Sequence, residues 1–112
     1  MRAAINAVIH AGATPVLVDV ERDSFNADPE EVRRKISRRT KAIRPVHFAG
    51  RACNMGALKS LAREHDLKII EDCAHAIETE YCEQKACAMG GCGVLSFYAT
   101  KNIVTGSASL EW

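Results

Sequence analysis

Apolar and polar positions alternate in blocks whose period switches between about three and a half and two. RAAINAVIHA, broken by Asn6 and His10, predicts an amphipathic helix over residues 2–11. PVLVDV is a β-branched run between the turn-forming AGAT and the polar ERDS, and predicts a strand over 15–20. Asp28-Pro29-Glu30-Glu31 supplies a cap, a proline for the first turn and two acids beside it. A helix over 29–38 follows, with Val32 and Ile36 on its buried side. KAIRPVHF predicts a strand over 42–47, whose pairing is expected to stop near Pro45 because proline has no N–H. Asn54 caps a helix over 55–65, with Met55, Leu58, Leu61 and Ala62 on one face. LKII opens a third strand that runs over 67–72 to Glu71 and Asp72. Gly90, Gly91 and Gly93 then lead into VLSFY, a fourth strand over 94–98. Strands alternating with helices define an α/β chain with a mostly parallel sheet and flanking helices.

Composition narrows the class. The 112 residues have room for one small domain, and 47% hydrophobic with 26% charged residues is a globular balance. A net charge of +1 leaves no electrostatic footprint for nucleic acid or an acidic membrane. The basic run Arg33 to Lys41 follows Glu30 and Glu31 and reads as a solvated helix face. No apolar run is long enough to span a bilayer, and the opening residues do not form a signal peptide. Five cysteines, an odd number without a secretory signal, point to a reducing cytoplasmic setting. Cys82, Cys87 and Cys92 match no zinc or iron–sulfur spacing, so no metal is expected. Cys73 reads as a buried small residue.

Ligands of parallel α/β sheets gather at the carboxyl ends of the strands. That rule selects His47, Asp72 and the segment after Tyr98, which contains Lys101. On periodicity alone an ordinary ion pair explains an acid and a lysine there. His47 suits a structural hydrogen bond better than a direct chemical role.

Four separated stretches change the balance: INAVIHAGATPVLVDVERDSFNADPEEV, TKAIRPVHFAGRACNM, LKIIEDCAHAIETEY and GVLSFYATKNIVTG. In residues, order and spacing they resemble the DegT/DnrJ/StrS family of sugar aminotransferases, which depend on pyridoxal 5′-phosphate (PLP). The resemblance runs from about Ala4 to Gly106. It implies the central part of a fold type I, aspartate-aminotransferase-like large domain over residues 1–106, with a divergent tail over 107–112. It further implies transamination of a keto group on a nucleotide-linked sugar, with glutamate or glutamine as amino donor, in a homodimer. Lys101 matches the Schiff-base lysine, and Asp72 the carboxylate that keeps the cofactor's pyridine nitrogen protonated. Ser96 matches a serine that helps hold the cofactor phosphate. His75 matches a position near the ring hydroxyl.

The chain departs from the family in EQKACAMGG, where Glu83 and Cys87 stand at usual glycines and Gly91 at a usual aspartate. Arg51, Ala52 and Asn54 replace Gln, Pro and Asp. A turn with positive φ at Glu83 or Cys87 costs about 1 kcal/mol or more against glycine. The family's glycine-threonine turn for the phosphate and its ring-stacking aromatic precede the stretch that matches, so a catalytically silent fragment that at most self-associates is a second reading. A PLP-dependent sugar dehydratase is a third, which Lys101 opposes because such relatives carry histidine there.

Overall fold

The computed structural model describes residues 2–96 and the backbone of 109–111. Helix α1 covers Arg2–His10, α2 Pro29–Lys35 and α3 Met55–Glu64. Strands β1 (Ala42–Ile43), β2 (Lys68–Asp72), β5 (Cys92–Ser96) and β6 (Ser109–Glu111) form one sheet in the order β1-β2-β5-β6. β1, β2 and β5 run parallel, with Ile43 beside Ile69 and Asp72 beside Val94, while β6 joins antiparallel. The mostly parallel α/β sheet is the expected one. A small antiparallel hairpin, β3 (Glu80–Tyr81) with β4 (Gln84–Lys85), was not anticipated.

The caps work as their sequences imply. Asp28 accepts from the Glu30 N–H and Asn54 from the Ala57 N–H. Met55, Leu58, Leu61 and Ala62 all face inward, where they join Val32, Ile43, Ile69 and Leu95 in the core. α2 ends at Lys35 rather than residue 38. Ser37 and Thr40 form a local side-chain turn, with Ser37 N–H on Thr40 Oγ1, that competes with another helical turn.

The strand expected at 15–20 does not form. β-propensity makes a strand only where a neighbour completes the ladder, and among the described residues the segment has only one isolated bridge, Val20 to Ala27. Val16 and Leu17 are 63% and 66% exposed. The strand expected at 42–47 is interrupted at Arg44 and Pro45 but resumes beyond them, because Pro45 still accepts through its carbonyl from Asp72 N–H. His47 N–H then donates to Asp72 O at 3.1 Å. Of the strand expected at 94–98, residues 97 and 98 lie outside the described residues.

The link from β2 to β5 contains no helix; the hairpin and a tight loop take its place. The hairpin turn, Cys82-Glu83, has positive φ at both residues (48° and 64°), the geometry of a type I′ turn that favours Asn-Gly. Cys87 is also left-handed, at φ 70°. The strain expected at Glu83 and Cys87 is therefore present. Gly93 is needed beside it, since a Cβ there would lie 2.5 Å from Cys87 Cβ.

Candidate functional site

Asp72 closes β2 at its carboxyl end, and Ser96 closes β5, the adjacent parallel strand. Both side chains are partly buried. Asp72 Oδ2 accepts from Arg44 Nη2 at 3.0 Å, and Oδ1 from the Ala74 N–H at 3.2 Å. Arg44 also donates through Nη1 to Ala4 O of α1, while its Nε is buried with no hydrogen-bond partner among the described residues. His75, three residues after Asp72, is exposed. Lys101 lies outside the described residues.

Directly beneath Asp72 is a buried polar cluster. Glu71 points to the opposite side of β2 and is fully buried, as is His47. His47 Nδ1 accepts from the Cys53 N–H at 3.1 Å, which puts the ring proton on Nε2, 3.0 Å from Glu71 Oε2. The same carboxylate accepts from the amides of Cys87 (2.9 Å), Met89 (2.7 Å) and Gly90. Burial pushes the Glu71 carboxyl up, but the His47 N–H and the amides of Gly90, Cys87 and Met89 outweigh it. The group is held below its ordinary value. The loop before β5 is thus wrapped around a carboxylate that β2 supplies.

His47 therefore has the structural role expected of it. Asn26 fixes the segment after it, donating to Arg51 O and Ala52 O and accepting from the Phe48 N–H. Cys73 and Cys87 are joined as a disulfide with Cα atoms 6.1 Å apart, which ties the residue after Asp72 to the same loop. His47, Glu71 and Cys73 lie close enough to suggest a metal centre. Their ligand atoms are already committed, to the Cys53 amide, to four N–H donors and to Cys87. Burial pushes the Cys53 thiol up to about 11, so it is no nucleophile.

Sequence reasoning missed Arg44, Glu71 and the Cys73–Cys87 pair. A signal existed for the first two. An arginine inside the apolar KAIRPVHF needs an acceptor, and Glu71 shares its face of β2 with buried Ile69.

The fold is an open α/β sheet, with an acid and a hydroxyl at adjacent parallel strand ends, where ligands of such sheets gather. Residues 2–109 match the model of the DegT/DnrJ/EryC1/StrS aminotransferase family, and the chain belongs to that family. It is 42% identical to GDP-perosamine synthase of Caulobacter vibrioides over 96% of this chain and 29% of that protein. The aminotransferase of Psychrobacter cryohalolentis superposes with a TM-score of 0.96 at 35% identity, over 99% of this chain and 28% of that one. NtdA from Bacillus subtilis, with bound cofactor PMP, superposes at 0.87 with 31% identity, over 99% and 25%. The chain thus has the fold of part of a PLP-dependent aminotransferase and spans under a third of the length of such relatives.

Proposed function

We propose that these residues serve PLP-dependent transamination of a keto group on a nucleotide-linked sugar, with glutamate or glutamine as amino donor. The observation that carries this reading is the Asp72 carboxylate, partly buried at the end of β2, with one donor on each oxygen among the described residues. A carboxylate offers about four acceptor sites, so Asp72 can take a further N–H. That suits a protonated pyridine nitrogen. The Ser96 hydroxyl, at the neighbouring strand end, suits a phosphate oxygen. Bound PLP supplies an electron sink for the carbon that loses its proton. Lys101 holds the cofactor through its Nζ and carries that proton, and His75 stands by the ring hydroxyl.

The family membership and the nucleotide-sugar chemistry in the name of the GDP-perosamine relative support this choice. Residues 1–106 are the central part of the large domain in this reading; beyond them the family match runs to residue 109, and β6 joins the sheet. Turnover belongs to these residues together with the rest of such a relative's length, in a homodimer, and the chain by itself is silent. The odd cysteine count supports a cytoplasmic setting for this reading.

The test supplies PLP, glutamate and a GDP- or TDP-linked keto sugar to the longest reading frame that contains this chain. The expected result is 2-oxoglutarate formed in step with an amino sugar nucleotide, lost in Lys101→Ala. Elimination of water from the sugar without 2-oxoglutarate would show the dehydratase chemistry instead.

A further inference from the structure

Arg44 is the feature of this strand end that the proposed chemistry does not use, and its charge has the wrong sign for a neighbour of a pyridinium. A guanidinium whose main partner is a carboxylate frequently engages it with two parallel N–H bonds. Arg44 does not. Nη2 takes Asp72 Oδ2 at 3.0 Å, Nη1 turns to Ala4 O at 3.2 Å, and Nε is buried without a partner among the described residues. One oxygen of Asp72 is thereby held, and among the described residues the carboxylate keeps acceptor sites unused. The contact is partly sheltered, with the two side chains 26% and 14% exposed, so water screens it less than a surface pair.

We propose that Arg44 is a positioning residue for Asp72: it fixes the carboxylate through one oxygen and limits how tightly a pyridinium bonded to that carboxylate keeps its proton. This rests on the PLP reading above. The sign follows from charge. Asp72 favours the protonated ring nitrogen, and the guanidinium, always cationic, opposes it. Like charges within about 4–6 Å shift proton affinity by about tenfold or more, and a ring nitrogen bonded to Asp72 would share that carboxylate with the guanidinium. Arg44 thus moderates the electron sink that Asp72 creates.

The experiment uses the longest reading frame containing this chain, loaded with PLP labelled with nitrogen-15 in the ring. The ring resonance is followed against pH in the unsubstituted protein, Arg44→Met and Arg44→Lys. Methionine keeps the length and apolar stem but not the charge; lysine keeps the charge. The expected result is a ring nitrogen that holds its proton about tenfold more tightly in Arg44→Met and close to the unsubstituted value in Arg44→Lys. If Arg44→Met does not fold, Arg44→Gln gives the same comparison with its donors retained. Coincident titrations of the neutral variant and the unsubstituted protein overturn the proposal while leaving the PLP reading intact. Failure of the unsubstituted protein to capture PLP at Lys101 under borohydride overturns both.

Discussion

Glu71 is the side chain on which the loop before β5 depends, and replacing it with glutamine isolates that dependence. The carboxylate receives four N–H donors, two on each oxygen: His47 Nε2 and Cys87 N on one, Met89 N and Gly90 N on the other. A glutamine keeps one oxygen and turns an NH2 toward the other pair. Two buried donors then lose their acceptor, at about 1–3 kcal/mol each. A loss of about 2–6 kcal/mol follows from the two unsatisfied donors. A chain of this size has a total stability of roughly 6–15 kcal/mol, so the variant folds with about half its margin. Urea unfolding followed by far-ultraviolet circular dichroism measures it. The pH dependence adds a second signature. The folded-state carboxyl is held below its ordinary 4.5, so its contribution is fully present above that pH and is lost as pH falls through the folded value. In that window the unsubstituted chain loses up to about 1.4 kcal/mol per pH unit relative to Glu71→Gln. A glutamine variant within about 1 kcal/mol at pH 7, with a parallel acid limb, would refute the account of this cluster.

Glu83→Gly removes the left-handed penalty in the hairpin turn, less the entropy glycine adds to the unfolded chain. A gain of about 0.5–1 kcal/mol in urea unfolding is expected, and a loss would contradict the turn assignment. Reducing the Cys73–Cys87 disulfide, which spans 14 positions, lowers stability by about 3 kcal/mol on the chain-entropy account. An unchanged urea midpoint with and without dithiothreitol would mean that the pair is not formed. Of the free cysteines, exposed Cys82 is alkylated by iodoacetamide long before buried Cys53, whose thiol sits at about 11. Equal rates by peptide mass mapping would place Cys53 at the surface.

Helices α2 and α3 were legible because each carries its own start signal and an apolar face. Asp28 and Asn54 cap where their side chains allow, and Met55, Leu58, Leu61 and Ala62 are the residues that go inside. Strand content was legible only where a partner strand exists. Pro15 to Val20 has the composition of a strand and remains outside the sheet, since propensity does not supply a ladder. The β3–β4 hairpin was hidden for the opposite reason: its turn is Cys82-Glu83, without the glycine that announces such turns, and only the family pattern marked Glu83 as a glycine position. At the site, Asp72 stood out by its place at a strand end. Arg44 and the Glu71–His47 pair were harder to see, because a buried charge is visible in a sequence only after its strand's inward face is known. Pairing between Cys73 and Cys87 depends on the loop folding back over β2, which spacing does not encode.

In the proposed function Lys101 and Asp72 together make a PLP site. It is tested most directly by reducing the PLP-treated protein with borohydride and mapping the modified lysine by mass spectrometry, in the longest reading frame containing this chain. The expected result is a single phosphopyridoxyl group on Lys101, at near-stoichiometric yield, that falls sharply in Asp72→Ala. Modification scattered over surface lysines, unchanged by Asp72→Ala, would contradict it.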